Sequence, residues 1–385
     1  MRKWLLPEAI EDVLPAEATR VEALRRALLD HFRARGYRLV QPPLIEFLES
    51  LLTGTGRDLD LLTFKTVDPQ SGRMLGLRAD TTPQVARIDA HLLNESGVTR
   101  LCYAGSVLRT QASGPGGTRQ VLQIGAELYG HGSVAADREI VRLLLSALDA
   151  ARVRGLHVDL GHVGIYRALA QAAGLAGTGE GDDAELFVAL RDKDAATVLD
   201  LTAALPEPVR GALRALPGLY GPADATLAAA RDALPRLPDV AAALDAMAGL
   251  AAAAAGAAHV HVDLADLRGY HYYTGATFSV FAEDERGAIV DCGRGGRYDG
   301  VGRAFGRARP ATGFSLDLRK LAALANGSAP APIILAPDDP DPALAAAVAA
   351  LRARGEAVVI ALPGEAHEGR RRLVAAGGAW HVEEN

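Results

Sequence analysis

Residues 100–130, "RLCYAGSVLRTQASGPGGTRQVLQIGAELYG", restrict the fold more than any other stretch of the chain. Apolar and polar residues alternate on both sides of the Gly-rich centre "ASGPGGT", which predicts a long hairpin of two antiparallel strands. Such a pair needs further strands and a layer of helices to bury its apolar face. The same stretch poses a chemical problem. Arg109 ends an apolar run with no acidic residue beside it. A guanidinium on an inner strand needs either a distant carboxylate or an anionic ligand that meets its fork of donors.

The flanking segments supply the other elements. Residues 16–35, "AEATRVEALRRALLDHFRAR", carry apolar positions at three- and four-residue spacing and stop before Gly36, the pattern of an amphipathic helix. "YRLVQPPLIEFLESLL" reads as a strand, a Pro pair that forces extended backbone, and a helix. "GRMLGLRADTTPQVARIDAHLL" reads as a strand, a turn at Asp80 to Pro83, and a helix opened by Pro83. From about residue 135 to 258 the spacing is helical and Ala/Leu-rich, with one strand at "HVDLG". Strand signals return at "HVHVDLAD", "HYYTGATFSVFAED" and "AIVDCGRGG", and "FSLDLRKLAALA" reads as a helix.

Strands, then helices, then strands predict an α+β domain over residues 1–325, built on an antiparallel sheet with flanking helices and a helical insertion at about 165–255. "NGSAPAP" reads as a linker. Residues 326–385 then form a small α/β unit of βαβαβ pattern, with a helix near "GRRRLVAAGG" and a last strand at "AWHVEE". A length of 385 residues fits one large domain with a smaller companion.

Several function classes are disfavoured. The net charge of −6, with both signs well represented, gives no polyanion-binding signal, so nucleic acid is not expected as a partner. Cys102 and Cys292 lack a CxxC or Cys/His partner at metal spacing, so no metal is expected, and a reducing compartment fits. The N-terminus has no adequate apolar signal core, and "LAAAAAGAAHVHV" is too short to span a bilayer, which points to a cytoplasmic protein away from membranes. Zincin, P-loop, nucleophile-elbow and Rossmann motifs are absent, and no cofactor or catalytic residue is expected.

Four groups of residues carry possible chemistry. Asp80 with Thr81 and Thr82 fits either a helix N-cap or a corner that holds an ammonium group. Arg109 fits a carboxylate ligand or a structural ion pair. Gln123 and Glu127 are four apart on the return strand, hence on one face, within hairpin reach of Arg109. In "DLRGYHYYTG", Arg268, His271, Tyr272 and Tyr273 precede the Gly-rich "CGRGGRYDG"; core packing and ligand contact both fit. Together these are the parts needed to grip a zwitterionic amino acid with a polar side chain.

"PEAIEDVLPAEA", "LRADTTPQVAR", "VLRTQ…RQVLQIGAELYG", "LRGYHYYTG", "GGRYDG" and "TGFSLDLRKL" resemble, in order and spacing, the class II core of histidyl-tRNA synthetases. They resemble more closely the non-synthetase relatives of those enzymes, the regulatory subunits of ATP phosphoribosyltransferase in histidine biosynthesis. The resemblance implies a histidine site in which Asp80 and Thr82 face the α-ammonium and Arg109 and Gln123 the α-carboxylate. Glu127 and Tyr273, with Tyr272 alongside, would face the imidazole, and Arg268 would close the pocket.

Departures from the synthetases accompany the match. Gln111 stands where they carry a glutamate that helps place ATP, Lys320 stands where motif three ends in an arginine, with Arg319 one earlier, and His271 replaces an acid. Lysine cannot reproduce a planar bidentate fork. The C-terminal unit resembles the first half of an anticodon-binding domain. The resemblance therefore implies a non-catalytic, histidine-sensing subunit that joins a short-form catalytic subunit and mediates allosteric feedback inhibition, built from homodimers within a hetero-octamer. An active histidyl-tRNA synthetase-like enzyme is the alternative.

Overall fold

The hairpin forms as two ten-residue antiparallel strands, Thr99–Leu108 and Gln120–Tyr129, in register from Thr99↔Tyr129 to Leu108↔Gln120. The computed structural model describes residues 5–54, 57–112, 117–325, 333–363 and 371–384. It divides into two units, Met1–Asn326 and Gly327–Asn385.

The first unit is built on a nine-stranded sheet. In chain order the strands are β1 (Arg38–Leu39), β2 (Thr99–Leu108), β3 (Gln120–Tyr129), β4 (Leu156–His162), β5 (Tyr220–Pro222), β6 (His259–Asp263), β7 (Ala276–Glu283), β8 (Ile289–Arg297) and β9 (Ala311–Asp317). Their spatial order is β1-β2-β3-β9-β8-β7-β4-β6-β5. The α+β class holds, but the sheet is mixed: β1 pairs with β2, and β4 with β6, in parallel. Parallel neighbours need a crossover, and the long segments between those strands provide it.

One face of the sheet is covered by helices. Leu28 and Phe32 of Pro15–Arg33, and Ile140, Leu144 and Leu148 of Val134–Ala150, are buried in one cluster with Ile124, Ala126 and Leu128 of β3 and Phe314 and Leu316 of β9. Phe32 meets Phe314 edge-on at 5.9 Å between ring centroids. Because strand side chains alternate, this packing turns Gln123, Gly125 and Glu127 to the opposite face.

Several predicted elements change in detail. The stretch read as a helix at "IEFLESLL" splits into a strand, Ile45–Phe47, and a four-residue helix, Leu48–Leu51. The strand joins Phe64–Val67 and Met74–Leu77 in a small antiparallel sheet. "HYYTG" lies on turns, with β7 starting at Ala276. "FSLD" belongs to β9, whose last residue Asp317 caps the helix Leu318–Leu324 by accepting from the Arg319 and Lys320 N–H groups. The insertion is helical from Val163 to Ala254 except for short strand β5, which pairs with β6.

The second unit packs the helix Pro342–Ala353 on a four-stranded sheet. The helix expected near "GRRRLVAAGG" is instead the strand Arg371–Ala376, paired antiparallel with Ala379–Glu383. Gly377 and Gly378 both have positive φ, 58° and 80°, the backbone a two-residue hairpin turn of type I′ requires. Cross-strand pairing overrides the local signal here.

Phe32 is fully buried. Phe32→Ala is expected to cost about 3–5 kcal/mol of stability, the range for emptying a buried aromatic site, measured by chemical denaturation.

Candidate functional site

The face opposite the core is shaped by glycines. Gly313 of β9 stands opposite Glu127, and a Cβ there would collide with the Glu127 carboxylate. Gly125 stands opposite Tyr103, and a Cβ there would collide with the tyrosine oxygen. The bare backbone leaves room for two polar side chains to lie over the sheet.

Glu127 is 1% exposed. The Tyr298 hydroxyl donates to its Oε2 at 2.6 Å and the Tyr103 hydroxyl to its Oε1 at 3.2 Å. Burial pushes the carboxyl up to about 8, and the bonds from Tyr298 and Thr82 oppose that shift.

Four residues away, Gln123 ties β3 to the Asp80 corner. Its Oε1 accepts from the Thr81 N–H at 3.0 Å and its Nε2 donates to Asp80 Oδ2 at 3.3 Å. Asp80 Oδ1 accepts from the Thr82 N–H at 2.9 Å at the start of the helix Thr82–Arg87. Asp80 thus opens the helix and also presents a carboxylate to the site. Thr82 Oγ1 lies 3.3 Å from the Tyr103 oxygen, which joins this corner to Glu127.

Arg109 lies one residue past β2, half-buried, not within an inner strand. Its Nε donates to the Ala79 carbonyl at 3.2 Å, and it makes no ion pair among the described residues. The distant structural acid is thus not found. Arg78, buried, is in the same position: its guanidinium donates to the Ser106 and Pro42 carbonyls, both at 2.8 Å, and burial lowers its pKa.

The remaining expected residues lie on the turn before β7. The N–H groups of Tyr272 and Tyr273 both donate to the Gly269 carbonyl, at 2.9 and 2.8 Å. Gly269 has φ 68° and the Tyr273 ring lies against it, so a Cβ there would be both strained and crowded. The Tyr272 ring stacks on Tyr298 at 5.1 Å, and its hydroxyl is buried without a partner among the described residues. Arg268 is exposed and forks onto Asp266 at 2.8 and 2.7 Å, outside the network of Glu127, Gln123 and Asp80.

Tyr103, Tyr129, Tyr298 and Arg78 join the site without having been singled out. Tyr103 alternates with the core positions of β2, and "GGRYDG" held Tyr298 in view; neither signal says what a phenol meets across the sheet.

Residues 9–321 match the family described as histidyl-tRNA synthetase, and residues 331–383 match the ATP phosphoribosyltransferase subunit HisZ C-terminal domain. Across its whole length the chain is 56% identical over 389 residues to the ATP phosphoribosyltransferase regulatory subunit of Burkholderia lata, covering 100% of both chains. It is 55% identical over 388 residues to that of Ralstonia nicotianae, covering 100% of this chain and 98% of the other. The chain belongs to the ATP phosphoribosyltransferase regulatory subunit family. A crystal structure from Bacillus halodurans C, described as an ATP phosphoribosyltransferase regulatory subunit/histidyl-tRNA synthetase, superposes with a TM-score of 0.80 at 27% identity, over 95% of each chain. The fold is therefore that of the class II histidyl-tRNA synthetase core.

For a member of this regulatory family, the positions that depart from the synthetases are occupied in an instructive way. Arg319 is held by Glu17 at 2.7 Å and Glu11 at 3.0 Å. Lys320 Nζ donates to the Asp291 carbonyl at 3.0 Å, and Gln111 is exposed. Among the described residues no group of three or more His, Cys, Asp or Glu side chains gathers to hold a metal, and no helix is long and apolar enough to cross a membrane.

Glu127 yields a pH prediction. Its folded pKa of about 8 lies above the ordinary 4.5, so the folded protein holds a proton that the unfolded chain releases between those values. The stability this group contributes is full below about pH 4.5, declines by up to about 1.4 kcal/mol per pH unit, and is lost as pH passes through 8. Glu127→Gln is expected to gain stability relative to the wild type as pH rises from 5 to 8, measured by denaturation at stepped pH.

Proposed function

We propose that this chain is a non-catalytic, cytoplasmic regulatory subunit that activates a short-form ATP phosphoribosyltransferase catalytic subunit and transmits feedback inhibition by L-histidine. The observation that carries the reading is an asymmetry. Asp80, Thr82, Gln123 and Glu127 are joined through Tyr103 in one hydrogen-bonded group, with Arg109 nearby and without a carboxylate partner among the described residues. The groups at the nucleotide positions are either absent or engaged by Glu11, Glu17 and the Asp291 carbonyl. Nucleotide activation relies on positioned charge around the phosphates, so a site without it binds an amino acid and does not activate it.

In this reading Asp80 and Thr82 meet the ligand's ammonium and Arg109 its carboxylate. Gln123 keeps one N–H for that carboxylate while holding the Asp80 corner. Glu127, Tyr272 and Tyr273 meet the imidazole, and Arg268 closes over the carboxylate from its turn. Histidine inhibits by binding the inhibited arrangement of the complex better than the active one. The assembly is a hetero-octamer built from homodimers. Leu39, Leu44 and Ile45, each more than 40% exposed in "RLVQPPLIEF", supply apolar surface for the dimer contact.

The test is phosphoribosyl-ATP formation by the short-form catalytic subunit with and without this chain, across a histidine titration. Activation by the chain, reversed by histidine, is the expected result. No effect on a competent catalytic subunit, together with histidine-dependent ATP–pyrophosphate exchange by this chain alone, would overturn the reading in favour of a synthetase. Arg109→Ala is expected to weaken histidine binding by about 2–5 kcal/mol in calorimetry, as for a desolvated charge pair that loses one partner.

A further inference from the structure

Glu127 is held from both sides by phenols that arrive on different elements. Tyr103 comes from β2, and Tyr298 follows β8, its backbone N–H donating to the Ala311 carbonyl at 2.8 Å. A hydroxyl has a single hydrogen. When Glu127 is ionised, Tyr298 directs its own at Oε2, so in that state the 3.2 Å contact between the Tyr298 and Tyr129 oxygens is a bond donated by Tyr129. The result is a directed chain from Tyr129 through Tyr298 to Glu127, in which each bond strengthens the next. On the other side, Tyr103 directs its hydrogen at Oε1, and its oxygen lies 3.3 Å from Thr82 Oγ1.

Both carboxyl oxygens are therefore engaged, which fixes the plane of the group as one bond would not. Tyr103, Tyr129 and Tyr298 are each at most 2% exposed, so water does not substitute for them. The titratable and charged groups facing Glu127 are Asp80 before the helix Thr82–Arg87, Tyr103 from β2, Tyr129 from its own strand, Tyr298, and the turn residues Tyr272 and Tyr273.

We propose that Tyr298, backed by Tyr129 and opposed by Tyr103, is a positioning residue that orients the Glu127 carboxyl as a single fixed partner for one ring nitrogen of the ligand. This rests on the reading that Glu127 meets the imidazole of histidine. Tyr298 does not touch the ligand; it acts through Glu127, and selectivity for a nitrogen-bearing ring over a hydrocarbon ring depends on it.

The test has a ligand-free arm and a ligand arm, both on the full chain. With glutamate carboxyls labelled with carbon-13, one resonance is expected to titrate near pH 8 and to vanish in Glu127→Gln. In Tyr298→Phe it moves upward by about one pH unit, because a donor to the charged form is lost, and in Tyr129→Phe it moves less in the same direction. The Tyr129 variant serves if Tyr298→Phe does not fold. In the second arm, Tyr298→Phe narrows the affinity ratio of L-histidine to L-phenylalanine by about tenfold, the effect of one hydrogen bond to a charged group.

A packing role for Tyr298 would lower stability while leaving both the carboxyl titration and that ratio in place, and this result overturns the proposal. A wild-type chain that binds no histidine while the titration moves as expected overturns the ligand reading and leaves the tyrosine arrangement standing.

Discussion

A strand buried on one side has to place every second residue on the other, and in β3 this alternation decides where the chemistry stands. Ile124, Ala126 and Leu128 are locked into the helical layer, so Gln123, Gly125 and Glu127 have no freedom to turn inward. A slip of one residue would bury two polar groups in the core and expose the apolar row. The core thus fixes the site's register. Around it, glycines at 125 and 313 remove the side chains that would otherwise fill the face.

Charge is managed differently at the two ends of this face. Buried cations elsewhere in the unit are paired: Arg309 with Asp89 at 2.8 Å and Arg297 with Asp137 at 2.9 Å. Arg78 and Arg109 instead rest on main-chain carbonyls, which satisfy donors without neutralising charge. In the proposed reading this end of the sheet takes the ligand's anionic group, and the Asp80 carboxylate a short way along takes its cationic one. A zwitterion has that polarity.

The sequence made legible whatever depends on near neighbours. The central hairpin, the helix ending before Gly36, and the pairing of Gln123 with Glu127 follow from spacing alone. The tyrosines around Glu127 do not, because Tyr298 meets it across 171 residues of chain and periodicity carries no record of such a contact. The closing role that resemblance implies for Arg268 has no local signature either: its fork rests on Asp266, two residues away, an arrangement that local turn geometry produces without reference to any ligand. The C-terminal hairpin does not follow from local pattern, because the run of arginines before "LVAAGG" gives its first strand the composition of a helix surface. What identifies them is the pair of glycines between them.

The parallel pairing of β4 with β6 has a mechanical consequence. The insertion leaves from the C-terminal end of β4 and returns to the N-terminal end of β6, so it is strung from opposite ends of two neighbouring strands. A force on it loads that ladder in shear, with its hydrogen bonds sharing the strain at once, where a hairpin loaded at its open ends would unzip bond by bond. The insertion is therefore attached as a rope is spliced, along its length, and the sheet that carries Glu127 forms the other half of the splice.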